Sequence, residues 1–249
     1  MGSVPPVAIL AGGLGTRLGV VATSRPKGMV EVAGRPFLEH VLDRLAREGV
    51  DRVVICRGHL GEVIERGLGD GERFGLSISY SDEGPDPIGT AGALRRALPL
   101  LGERFLVMYG DTYLQVDYAE AAAAHERSGL AALMTVLRNR GRWGPSNVVY
   151  AAGRVSAYDK RRPPRGAEWI DYGLLSLSAS ALASEDEREL SDTLSRLAAQ
   201  GALAGLPVRR RFYEIGTPEA LAETDRYLAR RDRGPVPVRP AGGSSPGHA

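Results

Sequence analysis

The stretch Val7-Ala8-Ile9-Leu10-Ala11-Gly12-Gly13-Leu14-Gly15-Thr16-Arg17-Leu18 constrains this chain more than any other. Its apolar start, Val7–Leu10, reads as a buried parallel strand. The strand empties into a turn whose three glycines bend the backbone sharply and leave N–H groups uncovered. Such a turn can cradle phosphate oxygens. Arg17 adds a planar fork of donors suited to a polyphosphate, and Lys27, after Pro26, adds a second cation. A Gly-rich turn after a first strand is common in α/β folds and by itself is a weak signal. The spacing is not the G-x-G-x-x-G of dinucleotide folds, and no Gly-Lys-Ser/Thr follows as in a Walker loop. Taken with Arg17 and Lys27, the turn points to a nucleoside triphosphate.

A chain of 249 residues can bury one good core, or one core and a small lobe. Hydrophobic residues at 43% and charged residues at 25% fit a soluble globular protein. A net charge of only +2 argues against a nucleic-acid partner. The basic runs Lys160-Arg161-Arg162 and Arg209-Arg210-Arg211 read as a solvated loop and a strand end, with an anionic substrate favoured only beside Lys160. Cys56, the single cysteine, follows Val53-Val54-Ile55 and is expected to be buried and inert. No 18-residue apolar run and no signal-peptide pattern occurs, so the expectation is a cytoplasmic protein with no membrane partner. Four histidines and one cysteine do not build a His/Cys metal site; His40, His59 and His125 read as surface or packing residues.

Strand and helix patterns alternate through the first half. Helices are predicted over residues 36–48, 62–68, 90–98 and 118–127. Strands are predicted over 52–56, 76–80, 105–109 and 130–137. This rhythm predicts an α/β fold with a doubly wound, mainly parallel, Rossmann-like sheet and ligands at the C-terminal strand ends. Beyond it lie a hairpin (147–151 and 154–158), strands at 169–177 and 212–215, and helices at 190–199 and from Pro218. The expected organisation is a single domain over residues 1–231, with a ligand-cradling part at about 1–137 and a smaller β-rich part at about 138–231. A Pro/Gly-rich flexible tail is expected over 232–249.

The apolar run 105–109 ends in Gly110-Asp111. That puts a carboxylate at the rim facing the Gly-rich turn, where Mg²⁺ carried by a triphosphate would sit. A turn cap is the alternative for Asp111. Gly89-Thr90-Ala91-Gly92 opens a helix with small residues that admit a base or sugar closely, or forms an ordinary capped turn. Lys160 can hold a sugar-linked phosphate as a point charge, or simply be exposed. Glu214 is a second acidic group at a strand end, placed either to join Asp111 at a metal or to pair with Arg210 or Arg211.

Together these stretches resemble the sugar-1-phosphate nucleotidyltransferases. The residues that carry the resemblance are the Gly-rich motif itself, Arg25-Pro26-Lys27-Gly28-Met29-Val30, Gly34-Arg35-Pro36-Phe37-Leu38, Pro87-Ile88-Gly89-Thr90-Ala91-Gly92-Ala93, Gly110-Asp111 and Ile215-Gly216-Thr217-Pro218-Glu219. The short spacer 19–24 and the block at 34–39 look most like heptose-1-phosphate guanylyltransferases. The stretch 27–32 is also similar to glucose-1-phosphate cytidylyltransferases.

The resemblance implies that Leu10, Ala11, Gly12, Gly13, Gly15, Thr16 and Arg17 bind the nucleotide, with Glu83, Gly89 and Thr90 bordering the nucleoside. It implies that Arg17, Lys27 and Asp111 carry catalysis. Gly110, Asn147, Lys160, Tyr172 and Gly173 would hold the sugar phosphate, and Asp111 and Glu214 would hold Mg²⁺. The chain departs from the family with Glu214 where aspartate is usual, Asp159 for a glutamate, Gly28 for a proline (implying a looser loop) and Asn147 for a glycine.

The implied reaction is in-line attack of a sugar 1-phosphate on the α-phosphorus of an NTP, without a protein nucleophile or general base. GTP and a heptose or hexose 1-phosphate are favoured on resemblance. Thymidylyl, cytidylyl or uridylyl transfer and a catalytically inactive nucleotide-sensing homologue are the alternatives. A Rossmann oxidoreductase is disfavoured by the loop spacing. The oligomeric state stays open, with a homodimer the commonest assembly.

Overall fold

The computed structural model describes residues 4–13, 25–84 and 86–232. Gly15, Thr16 and Arg17, and residues 233–249 of the expected tail, lie outside the described residues. The first half of the chain supplies β1 (Val7–Leu10), β2 (Glu31–Val32), β3 (Arg35–Pro36), α1 (Phe37–Arg47), β4 (Arg52–Arg57), α2 (Gly61–Leu68), β5 (Ser77–Asp82), α3 (Gly89–Leu101), β6 (Arg104–Tyr109), β7 (Thr112–Tyr113), α4 (Tyr118–Ser128) and β8 (Ala132–Arg138). The second half supplies β9 (Val148–Ala151), β10 (Arg154–Tyr158), β11 (Trp169–Ser178), α5 (Leu190–Ala199), β12 (Leu203–Val208), β13 (Tyr213–Glu214) and α6 (Pro218–Asp232).

Every residue of β1 is buried, because parallel neighbours flank it on both sides. The main sheet has nine strands in the order β5-β4-β1-β6-β11-β8-β12-β10-β9. The first four are parallel, as the alternating pattern predicts. Beyond β6 the expectation of a mainly parallel sheet is corrected. β11 runs antiparallel to both β6 and β8, β12 is parallel to β8, and β10 and β9 are antiparallel again. The sheet is therefore mixed. Its change of direction comes at β11, which the chain reaches from β8 through the β9–β10 hairpin. β11 also joins strands from before and after residue 137 into one sheet.

Apolar faces of the helices cover both sides. Phe37 of α1, Ile64 of α2, Tyr118 of α4 and Leu228 of α6 share one core cluster. Leu94 of α3 and Leu194 of α5 share the other. Two histidines are packing residues, as expected. His40 Nε2 donates to the Val32 carbonyl at 2.7 Å, and His125 Nδ1 lies 2.8 Å from Ser176 Oγ. Cys56 is buried, which pushes its thiol up to about 12. No helix among the described residues is long and apolar enough to cross a membrane.

β12 has no counterpart among the predicted strands. Gly205 and Pro207 interrupt its pattern, and both read as breakers. Tertiary contacts remove the objection. Gly205 leaves room for the Tyr150 ring against its backbone, and Pro207 lies beyond Ala204, where β12 pairs with β10.

Three features of this fold carry the site. The rim of β1, β4, β5 and β6 offers four strand ends side by side. The short ladder of β13 on β7, with Glu214 opposite Thr112, brings the late chain to that rim. A single 3-10 turn over Lys27–Met29 presents Lys27. The turn is not loose at Gly28, contrary to expectation. Gly28 is buried, and a Cβ there would lie 2.6 Å from Leu38 Cδ1 and 3.3 Å from the Gly110 carbonyl. Gly28→Ala is therefore expected to destabilise the protein by about 1–3 kcal/mol through overpacking. Thermal unfolding checks this: the melting temperature should fall by several degrees.

Candidate active site

Two hollows open along the C-terminal rim of the parallel strands and share Gly13, Lys27, Tyr109 and Asp111 as a common wall. The larger encloses about 920 Å³ between the ends of β1, β4, β5 and β6. The smaller, about 430 Å³, lies toward β11 and β13.

At the shared wall, Lys27 Nζ meets Asp111 Oδ2 at 2.5 Å. Both side chains are partly covered, at 19% and 32% exposure, so solvent screens the pair less than on an open surface. Asp111 Oδ1 also accepts from Thr112 Oγ1 at 3.1 Å. The Ile215 amide donates to the Asp111 carbonyl at 3.1 Å, which fixes β13 beside it. Glu214 is exposed, and its Oε2 flanks Gly216 together with Lys27 Nζ. Asp111, Glu214 and Lys27 thus gather at one spot although the chain separates them widely.

The larger hollow gathers Leu10, Ala11, Gly12, Glu83, Gly89 and Thr90. Ala11 is pinned by its amide on the Cys56 carbonyl at 2.9 Å. Gly12 lets the Glu83 carboxylate lie against its backbone; a Cβ there would push that carboxylate aside. Burial, and then the neighbouring Asp82, raise the Glu83 carboxyl above its ordinary value of 4.5. Thr90 is less free than expected: its hydroxyl accepts from the Leu190 amide at 2.7 Å and donates to Glu189 Oε2 at 2.8 Å. Gly110, expected at the sugar phosphate, lines this hollow, its amide on the Leu10 carbonyl at 2.9 Å.

The smaller hollow gathers Asn147, Lys160, Tyr172, Gly173 and Glu214. Lys160 Nζ stands 5.1 Å from the centre of the Tyr109 ring, a cation–π contact that places its charge beside the shared wall. Asp159 does not contact the hollow as a substituted sugar ligand would. It accepts from the amides of Arg161 and Arg162 at 2.8 Å each, which caps the turn bearing Lys160 and lowers its own pKa. Asn147 Oδ1 accepts from the Asp171 amide at 3.0 Å, which fixes the orientation of the Asn147 side chain. The Tyr172 hydroxyl accepts from the Gln115 amide at 2.8 Å, and its ring meets Phe212 edge-on.

Two site residues had no place in the sequence reading. Asp171 lines the smaller hollow, accepting from Gly173 N at 3.0 Å and Tyr158 Oη at 3.2 Å. Burial raises its pKa, and the Lys160 charge opposes the rise. Its proximity to Gly173 in the motif was the available signal. Glu189 lines the larger hollow with nothing in its local sequence to mark it.

The Glu83 shift carries a sign. Its folded pKa lies above the unfolded value, so its stabilising contribution is complete below about pH 4.5 and is lost as pH rises through the raised folded value. Glu83→Gln should therefore gain stability relative to the unmodified protein as pH climbs through that window. Urea midpoints between about pH 4 and pH 8 check this; a difference that stays constant with pH contradicts it.

Comparisons with known proteins agree with this geometry. The nucleotidyl transferase family profile matches residues 7–142. N-acetylmuramate alpha-1-phosphate uridylyltransferase of Neisseria meningitidis serogroup B is 41% identical over 114 residues, covering 45% of this chain and 49% of that protein. D-glycero-alpha-D-manno-heptose 1-phosphate guanylyltransferase of Campylobacter jejuni is 33% identical over 140 residues, covering 56% of this chain and 62% of that protein. The match thus spans about half to three-fifths of those two relatives. The crystal structure of HddC from Yersinia pseudotuberculosis complexed with GMP-PN superposes with a TM-score of 0.75 at 25% identity, covering 90% of this chain and 99% of that one.

Proposed function

The chain belongs to the nucleotidyl transferase family, and from that premise we propose that it transfers a nucleoside monophosphate from an NTP to a sugar 1-phosphate, releasing pyrophosphate. The observation that carries the proposal is the pair of hollows meeting at Lys27 and Asp111. A triphosphate in the larger and a sugar phosphate in the smaller would bring their phosphates together at that wall.

The chemistry needs little more than positioning and charge neutralisation. A phosphate monoester is already a competent nucleophile near neutral pH, so no side chain has to accept a proton. Lys27 would leave Asp111 and spread its charge over the α-phosphate, which grows more negative as the new bond forms. Lys160 would hold the incoming phosphate from the other side, and the shared wall would align the two for in-line attack. Arg17 is proposed to grip the triphosphate, with Gly15 and Thr16 completing the loop.

The donor set fits Mg²⁺. Asp111, in the turn just before β7, and Glu214, on β13 opposite Thr112 of β7, are hard oxygen donors, and the Lys27 ammonium already rests on Asp111. Among the described residues no group of three or more His, Cys, Asp or Glu side chains could hold a metal by itself. A site completed by substrate phosphates is how Mg²⁺ is usually held. When bound, the ion would supply charge neutralisation for the phosphates and the leaving pyrophosphate.

We infer GTP as the favoured nucleotide. Glu83 is an acceptor in the larger hollow, and a carboxylate matches the adjacent N1–H and N2–H₂ donors of guanine. Uracil offers one N–H between two carbonyls, which matches a carboxylate less well. The Neisseria relative favours uridylyl transfer as the second reading. A heptose or hexose 1-phosphate is the proposed acceptor.

A matrix of NTPs against sugar 1-phosphates, read by pyrophosphate release, tests both levels. Turnover with any pair supports nucleotidyl transfer, and its absence with all pairs favours the inactive-homologue alternative. Within an active pair, Asp111→Asn should abolish release while leaving the circular dichroism spectrum intact. Lys27→Ala should lower kcat by about 10²–10³-fold.

A further inference from the structure

Tyr109 closes β6, and Gly110 and Asp111 follow it off the sheet. This short segment holds the two lysines of the shared wall in different ways. Asp111 takes the Lys27 ammonium into a direct ion pair at 2.5 Å. Two residues earlier, Tyr109 lines both hollows, and its ring centre lies 5.1 Å from Lys160 Nζ. Between them, Gly110 fastens the segment to the end of β1. Its amide donates to the Leu10 carbonyl at 2.9 Å, and a Cβ there would lie 3.1 Å from that carbonyl oxygen. Residues 109–111 therefore space two cations that come from distant parts of the chain.

The backbone at Lys160 is fixed from both sides. The Asp159 amide donates to the Asn147 carbonyl at 3.2 Å, and Asp159 Oδ1 accepts from the Arg161 and Arg162 amides at 2.8 Å each. Lys160 itself is exposed. Its ammonium makes no hydrogen bond or ion pair among the described residues, and its contact is with the Tyr109 ring. The Asp171 carboxyl feels the Lys160 charge without pairing with it. An exposed lysine samples many rotamers, and holding it in one place costs entropy. A ring face attracts an ammonium without taking up its N–H groups in hydrogen bonds. Tyr109 thus narrows where the Lys160 charge can stand and leaves all three of its donors to a phosphate. Lys27, by contrast, spends a donor on Asp111.

We propose that Tyr109 is a positioning residue whose ring face holds Lys160 at the shared wall, so that the sugar phosphate meets a cation already in place. This rests on the reading of Lys160 as the lysine that holds the sugar phosphate, but not on the identity of the base or the sugar. Tyr109 acts through Lys160 and not on the reacting atoms. Its ring supplies the effect, and its hydroxyl is dispensable.

The experiment measures kcat and the KM of each substrate on the full chain, with the NTP and sugar 1-phosphate pair that turns over best. Tyr109→Leu should raise the KM for the sugar 1-phosphate by about three- to tenfold, the size of a cation–π contact partly shielded by the ligand, and leave the KM for the NTP unchanged. Tyr109→Phe keeps the ring and should keep both KM values. Lys160→Met should raise the KM for the sugar 1-phosphate at least as far, and adding Tyr109→Leu to it should have no further effect. Ring-fluorinated phenylalanines at position 109 weaken the face with little change of shape, which covers the case of a Tyr109→Leu protein that does not fold; the same KM should climb with each fluorine. A flat fluorine series overturns the proposal. So does a rise in both KM values together, the mark of a residue that merely walls both hollows, or a Tyr109→Phe protein as impaired as Tyr109→Leu. A full Tyr109→Leu effect in the Lys160→Met background overturns it as well. A raised KM in Lys160→Met with none in Tyr109→Leu removes this proposal and spares the phosphate assignment of Lys160. An unchanged KM in Lys160→Met removes both, and absence of turnover with every pair removes the functional reading along with them.

Discussion

The contact between Lys27 and Asp111 ties the site together. It joins a 3-10 turn near the start of the chain to the end of β6, and it sits where the two hollows meet. Neither partner is placed by chance. Gly28 lets the turn press against Leu38 and the Gly110 backbone, which brings Lys27 down onto the rim. β6 is buried along its middle, and its chain surfaces at Gly110-Asp111 just as it leaves the sheet. The packing therefore does not merely display the two charges; it supplies each with a neutralising partner.

The mixed sheet explains how one rim serves two hollows. Parallel strands β1, β4, β5 and β6 leave their C-terminal ends side by side, which is where α/β sheets bind ligands. β11 then enters antiparallel beside β6, so its early residues lie at the same rim as the late residues of β6. That brings Asp171, Tyr172 and Gly173 next to Tyr109 and Asp111. A parallel strand in that position would deliver its C-terminal residues there instead. The change of direction at β11 is thus what adds the second hollow to the first.

Charge is distributed along the larger hollow with a clear polarity. Lys27 stands at the end shared with the smaller hollow, while Asp82, Glu83 and Glu189 line other parts of the wall. Burial, and then the nearby charges of Asp82 and Glu189, raise the Glu83 carboxyl. Two glycines make the arrangement possible. Gly12 lies under Glu83, whose carboxylate a Cβ would push aside, and Gly89 lies under the Arg188–Glu189 backbone, which leaves no room for a Cβ.

The local sequence determined the parts whose causes are local. Val7–Leu10 reads as a buried strand because all four side chains are apolar, and Gly12, Lys27 and Asp111 announce themselves at strand ends and turns. Residues 190–199 show a helical face within a few turns of chain. Tertiary structure decided what depends on partners far away. β12 was hidden by Gly205 and Pro207, whose cost is removed only by Tyr150 and by the geometry around β10. The strand direction of β11 is set by its pairing between β6 and β8, and no pattern within the strand encodes it. Thr90 and Glu189 stand 99 positions apart, so their bond exists only once α3 and α5 dock. Hydrophobic periodicity is written one element at a time, whereas a side chain's partner is chosen by the packing of elements against each other.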